Sequence, residues 1–279
     1  MNIVYMNLEK GGTGRTLTLY HLAWTLGDLF NKRVLIVDLD AQKNISFLFG
    51  IEGDEIVARG GISMAHCLVR NLNPDRKRRS IRDCIVENVA PNVDIAFSSF
   101  DIMQVESGTV QEINRHLILT NVLKEVEDDY DYVFLDTDGG YNQLCINSIV
   151  ASDLVLATMK TDFQNLQCFL QTMSNLQSLA EEGVDINLGG VVCTTYESNT
   201  IQSNQCIDYL ESNNYDIWVK IKKQVSMQDS AMYQTPIYRF APTNQGAWSI
   251  IRLAHRILEY FDEDFTIPLD KKYRRKKDY

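Results

Sequence analysis

The 279-residue chain lacks long apolar runs, closely spaced cysteines and histidines at metal-ligand spacing. No stretch of about 18 apolar residues occurs and no basic leader precedes the first apolar run, so the sequence predicts neither a membrane-spanning helix nor a secretion signal. The six cysteines stand without C-x-x-C pairs and the four histidines without H-x-x-x-H spacing. These absences argue against a zinc or cluster enzyme and predict a cytoplasmic protein with reduced cysteines.

Charge is unevenly distributed along the chain. The formal net charge is −10, which argues against a uniformly basic nucleic-acid binder. Residues 270–279 hold six basic and two acidic groups, so they carry +4 and residues 1–269 carry −14. A second basic cluster spans Arg76 to Arg82. We expect residues 1–265 to form one domain and residues 266–279 to form a disordered basic tail.

Short apolar runs alternate with segments of helical period, which predicts an α/β fold: a mostly parallel sheet flanked by helices on both faces, as in P-loop NTPases. The predicted strands are Ile3–Met6, Val34–Val37, Tyr132–Leu135, Leu154–Ala157 and Leu188–Cys193. Between Glu52 and Asn92 the pattern weakens, which predicts an irregular excursion from the sheet. Apolar residues at helical spacing predict a final helix from Ala247 to Phe261.

A glycine-rich turn between the first strand and the first helix is the sharpest chemical signal. It comprises Lys10, Gly11, Gly12, Thr13, Gly14, Arg15 and Thr16, followed by Leu17. Backbone N–H groups of such a turn converge on phosphate oxygens, and the hydroxyl of Thr16 would complete a magnesium site. Against the usual G-x-x-x-x-G-K-[ST] pattern, Glu9 replaces the first glycine and Arg15 replaces the lysine.

Two predicted strands lead directly into aspartates, Asp38 and Asp136. Ligands of open α/β sheets lie beyond the carboxyl ends of the strands, so both carboxylates are expected at a binding site. Asp40 follows two residues after Asp38. Alternation along a strand would turn both side chains the same way only while the strand stays regular, so their separate roles depend on a bend.

The turn resembles the deviant Walker motif K-G-G-x-G-K-T of the ParA and MinD ATPases, with arginine for the second lysine. This resemblance implies ATP and Mg²⁺ as ligands and a homodimer around two ATP molecules when ATP is bound. It gives Lys10 the role of the signature lysine, which reaches the partner's nucleotide across the dimer, and makes Lys10, Arg15 and Asp40 the catalytic residues.

Two further motifs extend the resemblance. VLIVDLDAQKNIS, from Val34 to Ser46, is similar to the motif whose carboxylates, here Asp40 and Asp38, orient the attacking water and lie near magnesium. YDYVFLD, ending at Asp136, resembles the Walker B strand, whose carboxylate holds magnesium. The family usually continues with two prolines, but here residues 137–140 read Thr-Asp-Gly-Gly.

The C-terminal third, from Val191 to Ala247, also resembles ParA proteins. The resemblance places Pro242, Thr243 and Asn244 beside the adenine. It places Lys220, Lys222 and Lys223 on a DNA-binding face, although Asn199 stands where a further basic residue is common. We expect basic tail residues to contact DNA as well, namely Lys271, Lys272, Arg274 and Arg275.

These motifs predict a short-form ParA-type ATPase without an N-terminal helix-turn-helix. It would bind DNA non-specifically, associate with the nucleoid when ATP-bound, and drive plasmid or chromosome partition with a ParB-like partner. The alternative is a MinD-like membrane-cycling ATPase, anchored through the final helix. Acidic residues 262–264 after that helix argue against binding to an anionic membrane, and no membrane partner is expected.

Arg15 carries a separate expectation. Arginine keeps the positive charge but presents a larger planar fork than lysine, so we expect ATP to bind and to be hydrolysed slowly. On this interpretation Arg15→Lys raises kcat by on the order of tenfold. The alternative is that Thr13, Asp138 and the altered Walker B loop have co-adapted to the guanidinium, in which case the same substitution lowers activity.

Overall fold

The computed structural model describes residues 1–7, 12 and 14–263. Within them the chain forms one eight-stranded sheet in the order β3-β4-β2-β5-β1-β6-β7-β8. All neighbouring strands pair in parallel except β3 and β4, which pair antiparallel. The strands are β1 Asn2–Asn7, β2 Val34–Leu39, β3 Ile85–Ala90, β4 Val93–Ala96, β5 Tyr132–Thr137, β6 Leu154–Lys160, β7 Leu188–Tyr196 and β8 Ile217–Lys222.

Twelve α-helices occur in the described residues, several of them single turns. They are α1 Arg15–Trp24, α2 Asn44–Leu48, α3 Gly53–Ala58, α4 Met64–Leu68, α5 Val105–Gly108, α6 Ile118–Leu123, α7 Gln143–Ala151, α8 Phe163–Glu181, α9 Ile201–Ser212, α10 Val225–Met232, α11 Ile237–Phe240 and α12 Gln245–Tyr260. A π-helical turn, Thr25–Leu29, continues α1. Short 3₁₀ turns cover Arg70–Leu72, Ile81–Cys84, Phe100–Gln104, Arg115–Leu117 and Lys124–Val126.

Helices cover both faces of the sheet, which confirms the predicted fold class. Alternate residues of β1, β2 and β5 enter one core with α1, α10 and α12, while the intervening residues enter another with α4, α6 and α7. A third cluster packs α8 and α9 against β6 and β7. Every residue of β2 and of β5 is buried, because both faces are covered.

The strand order reverses beside β1. The chain passes from β1 outward to β2, returns through β5, and then crosses β1 to reach β6, so β1 lies between β5 and β6. In open α/β sheets a crevice forms at such a reversal, beyond the carboxyl ends of the strands. The glycine-rich turn follows β1 and therefore begins at this crevice.

The final helix places its apolar face in the core. Ile250, Ile251, Ala254, Ile257 and Leu258 are all buried, and α12 packs against α1 and β8. This confirms the predicted helix and makes the same face unavailable to a membrane. Among the described residues, no helix is both long and apolar enough to span a bilayer.

The predicted excursion between Glu52 and Asn92 is only partly confirmed. Residues 53–84 form short helices and turns outside the sheet, but Ile85–Ala90 returns to it as an edge strand. The predicted tail at 266–279 lies outside the described residues, as do Lys271, Lys272, Arg274 and Arg275.

Candidate nucleotide site

The two described glycines of the turn before α1 both have left-handed backbone conformations. Gly12 and Gly14 have φ of 73° and 84°, in the left-handed region that favours glycine. Gly14 precedes α1, and a Cβ at Gly14 would lie 3.6 Å from Cβ of Thr194 at the end of β7. Lys10, Gly11 and Thr13 lie outside the described residues, so their predicted roles remain predictions.

Arg15 is the first residue of α1 and is buried, with 6% of its surface exposed. Its Nη2 donates a hydrogen bond to the carbonyl oxygen of Thr137, the last residue of β5, at 3.2 Å. Thr16 and Leu17 follow on α1 and are half-buried. The guanidinium therefore joins the beginning of α1 to the carboxyl end of the Walker B strand.

Asp38 and Asp136 are brought together by strand register. They are paired neighbours on β2 and β5, and both are almost completely buried. Burial and the charge of Asp136 raise the pKa of Asp38 to about 8, opposed by hydrogen bonds from Ser46 and the backbone of Asp40. Burial raises the pKa of Asp136 to about 6, opposed by the charge of Arg15 and a hydrogen bond from Thr16.

Asp40 lies beyond the end of β2, where the backbone turns. Its N–H donates to Oδ1 of Asp38 at 3.0 Å, and its own Oδ1 accepts the N–H of Gln42 at 2.8 Å. Oδ2 of Asp38 accepts the hydroxyl of Ser46 on α2 at 2.5 Å. Each carboxylate is thus held by a different part of the turn, and the separate roles expected of Asp38 and Asp40 remain predictions.

The donor set at the ends of β2 and β5 suits a divalent cation. Oδ2 of Asp136 is buried and has no hydrogen-bond partner within the described part of the chain, which is a costly state for a carboxylate oxygen. Magnesium prefers one or two carboxylates together with hydroxyl, water and phosphate oxygens. Asp136 and Thr16 provide such ligands. The described residues contain no cluster of three or more His, Cys, Asp or Glu that alone would hold a metal.

The predicted adenine-border residues lie at the same edge of the sheet. Asn244 caps α12 by accepting the N–H of Gly246 at 2.6 Å, and its Nδ2 donates to Oγ of Ser226 at 2.7 Å. The hydroxyl of Ser249, one turn later, lies 3.4 Å from the carbonyl of Lys220 near the end of β8. Pro242 is half-buried and Thr243 is exposed just before the helix.

Ion pairs reduce the positive charge of both described basic clusters. On β8 and just after it, Lys220 pairs with Glu211 at 2.9 Å and Lys223 pairs with Glu197 at 3.0 Å. Lys222 has no ion pair with a described residue. In the cluster from Arg76 to Arg82, three arginines pair with acids: Arg78 with Glu112, Arg79 with Asp75 and Arg82 with Asp129.

Three site residues were missed by sequence reasoning. The hydroxyl of Tyr5 on β1 contacts that of Thr137 at the end of β5, Ser46 holds Asp38, and Thr194 packs against Gly14. Ser46 lay inside a recognised motif, so a search for hydroxyls near the aspartates would have found it. Tyr5 and Thr194 gave no local signal, because their contacts depend on strand order.

With this geometry established, the chain is a P-loop NTPase in fold. The sequence profile of the AAA domain family matches residues 1–188, so the chain belongs to that family. It is 26% identical over 258 residues to the sporulation initiation inhibitor protein Soj of Bacillus subtilis, covering 91% of this chain and 97% of Soj. The Myxococcus xanthus chromosome partitioning protein ParA is 22% identical over 263 residues, covering 92% and 88%.

A solved structure agrees with the fold. The complex of Cyanothece McdA with ATP superposes with a TM-score of 0.81 at 17% identity, covering 96% of this chain and 98% of McdA. Together the relatives and the fold confirm the resemblance to ParA-type partition ATPases.

Proposed function

We propose that this protein is an ATP- and Mg²⁺-dependent partition ATPase that dimerises on ATP, binds DNA non-specifically and segregates a plasmid or chromosome with a ParB-like partner. The observation that carries the proposal is the convergence of Arg15, Asp38 and Asp136 beside a glycine turn at the reversal of the strand order. Burying two neighbouring carboxylates is costly unless a cation is bound there, which supports a site for a nucleotide with its magnesium. We propose that the protein is cytoplasmic and that it associates with the nucleoid when ATP is bound.

Each residue has a proposed role within this site. The N–H groups of the turn from Lys10 to Thr16, with Leu17 following, bind phosphate oxygens at the beginning of α1. Bound magnesium, held by Thr16 and Asp136 with Asp38 nearby, would supply charge neutralisation at the phosphates. Asp40 orients the attacking water from the turn after β2. Pro242, Thr243 and Asn244 border the adenine.

Dimerisation is proposed to depend on Lys10. A lysine that reaches the partner's phosphate gains a desolvated ion pair only when two protomers meet. We expect Mg²⁺-ATP to convert monomer to dimer in sedimentation velocity experiments. Lys10→Ala should bind ATP and remain folded while staying monomeric.

The matched control is Lys124→Ala, which removes an exposed lysine from a turn on the opposite face of the sheet from α1. It should dimerise like the parent protein. An ATP-dependent dimer of Lys10→Ala would contradict the signature-lysine role. Failure of the parent protein to bind ATP at all would overturn the proposed function.

The membrane-cycling alternative assigned its anchor to α12, and the burial of the apolar face of this helix supports the partition function instead. Co-sedimentation with liposomes rich in anionic lipid separates the two functions. We expect the ATP-bound protein to stay in the supernatant with liposomes and to co-sediment with long duplex DNA. The reverse result would favour the membrane function.

A further inference from the structure

A chain of buried hydrogen bonds connects the beginning of α1 to the core beneath the Walker B strand. Nη2 of Arg15 donates to the carbonyl of Thr137 at 3.2 Å. The hydroxyls of Thr137 and Tyr5 lie 2.8 Å apart, and the Thr137 hydroxyl donates to the carbonyl of Asp138 at 3.0 Å. If Thr137 donates to Asp138, the proton between the two hydroxyls belongs to Tyr5.

Tyr5 is completely buried on β1, and its hydroxyl lies 2.8 Å from that of Thr137 and at a longer 3.4 Å from Oδ1 of Asn7, its other partner. Burial raises the pKa of this phenol well above its ordinary value, and the hydroxyl therefore remains a donor. Thr137 is thus held from two sides. Its carbonyl accepts from Arg15 and its side chain is fixed by Tyr5.

The loop that follows Thr137 is attached at its far end to α7, where Oδ1 of Asn142 accepts the N–H of Cys145 at 3.0 Å. Asp138 is exposed, and its Oδ1 accepts hydrogen bonds from the N–H of Gly140 at 3.2 Å and Nδ2 of Asn142 at 2.9 Å. Both of these contacts lie within the loop itself and do not attach it to the site. Gly139 and Gly140 add backbone freedom, since glycine loses more conformational entropy on ordering than other residues.

We propose that Arg15 and Tyr5 are positioning residues that clamp the loop of residues 137–142 to the beginning of α1, so that the guanidinium has co-adapted with the Asp-Gly-Gly sequence of the loop. This inference rests on the proposed ATPase function. The clamp fixes where the carboxylates of Asp136 and Asp138 lie relative to the phosphates bound at α1. A planar fork with five N–H donors in fixed directions can hold a carbonyl and still serve a phosphate, whereas the three donors of an ammonium share one nitrogen and have no fixed directions.

The clamp reverses the outcome expected for Arg15→Lys. Lysine keeps the charge but loses the geometry of the bond to Thr137, so we expect kcat to fall about fivefold while ATP affinity changes less than about twofold. Tyr5→Phe removes only a hydroxyl and should give the same split between rate and affinity. Single-turnover hydrolysis measures the rate, and competition with a fluorescent nucleotide measures the affinity.

The matched control is Tyr132→Phe. Tyr132 is also a fully buried tyrosine, and its hydroxyl donates to Glu263 at 2.9 Å at the opposite edge of the sheet. This variant loses a hydrogen bond without touching the loop, so its kcat should equal that of the parent. A merely destabilising effect of losing a buried hydroxyl would lower both tyrosine variants alike.

A rescue substitution tests whether the loop is the element that Arg15 acts through. Gly139 does not have positive φ, so Gly139→Ala restricts the loop without backbone strain. In a double-mutant cycle we expect Gly139→Ala to raise kcat at least about twofold more in the Arg15→Lys background than in the parent. Hydrogen exchange without nucleotide should show the amides of residues 138–142 exchanging about fivefold faster in Arg15→Lys and Tyr5→Phe.

An unchanged or higher kcat in Arg15→Lys overturns the clamp, and so does additivity in the cycle. The clamp is also overturned if the amides of residues 138–142 exchange at the parent rate in both Arg15→Lys and Tyr5→Phe. The exchange measurement needs no nucleotide, so it tests the clamp even if the parent protein fails to hydrolyse ATP, an outcome that would instead count against the proposed function.

Discussion

His21 joins α1 to the C-terminal third of the chain through both nitrogens of its ring. Nδ1 accepts the N–H of Ile237 at 3.3 Å, so Nε2 carries the proton and donates to the carbonyl of Met227 at 3.0 Å. The ring is completely buried. A second proton would displace the bond from Ile237, so the site requires neutral imidazole.

This requirement gives stability a dependence on pH. Burial lowers the pKa of His21 to about 4, and the bond to Met227 opposes the shift only in part. Above the unfolded pKa of about 6.5 both states are neutral and His21 adds no pH dependence. Between about pH 6.5 and pH 4, His21 is protonated in the unfolded state and neutral in the folded state. This difference lowers the free energy of unfolding by up to about 3 kcal/mol.

We therefore expect the stability advantage of the parent protein over His21→Gln to shrink by about 3 kcal/mol between pH 7 and pH 4. Urea unfolding at a series of pH values measures it. The control His116→Gln removes an exposed histidine and should follow the parent curve at every pH. Parallel curves for the parent and His21→Gln would show that His21 is not the titrating group.

For single residues, the sequence predicted which of them come together better than it predicted the contacts that they make. It identified Arg15, Asp38 and Asp136 because aspartates that end apolar strands and glycines that precede a helix are local signals. Thr137, which accepts a hydrogen bond from Arg15, lies 122 residues away along the chain. Such a contact follows from the order of β1 and β5 in the sheet, which residue spacing does not encode, so the expectation of slow hydrolysis was made without knowledge of Thr137.

Among the secondary-structure elements, the strands that are buried on both faces of the sheet were predicted from the sequence. β2 and β5 are buried on both faces and read as continuous apolar runs. β8 was missed because it lies at an edge, where Lys220 and Lys222 alternate with apolar residues. β3 was missed because five of its six residues are half-buried or exposed, among them Asn88, which has positive φ. Edge strands give weaker patterns, since one side of each is unpaired.

The ion pairs of the lysines at β8 predict how substitutions there change the affinity for DNA. Glu211 and Glu197 neutralise Lys220 and Lys223, while Lys222 has no such partner in the described chain. We expect Glu197→Gln together with Glu211→Gln to strengthen DNA binding by the ATP state, because two lysines are released toward phosphate. Lys222→Gln should weaken binding and reduce the slope of log affinity against log salt by about 1.

Fluorescence anisotropy with a duplex of arbitrary sequence, at several salt concentrations, measures both effects. Glu181→Gln is the matched control, since it removes an exposed acid from the end of α8. It should raise affinity only slightly through net charge. If all three acidic substitutions act equally, the β8 lysines do not contact DNA.

In the whole molecule, the proposed functions are concentrated at one edge of the sheet. The glycine turn, the two strand-end aspartates and the cap of α12 all lie at the carboxyl edge. At the amino edge, Glu263 accepts the hydroxyl of Tyr132 and forms an ion pair with Lys32, which holds Glu263 beside the beginning of β5. The strand-helix alternation predicted this architecture, because parallel strands must place their carboxyl ends together.

Charge is also unevenly distributed over the whole molecule, with −14 on residues 1–269 and +4 on residues 270–279. A protein with an acidic body approaches DNA against repulsion, so a basic segment changes its affinity most at low salt. Each phosphate contact contributes about −0.9 to the slope of log affinity against log salt. If three of the six basic tail residues contact phosphate, deleting residues 271–279 should make the slope shallower by about 3.

The deletion must be separated from effects on the nucleotide site. A full-length variant with glutamine at the six basic positions keeps the length of the tail and should reproduce the shallower slope, which assigns the effect to charge. ATP affinity and ATP-dependent dimerisation should match the parent in both proteins, because the tail is proposed to act on DNA alone. A slope that is unchanged in the deletion and in the glutamine variant would mean that the tail is only a solvated end, and that DNA contacts must then come from the β8 lysines.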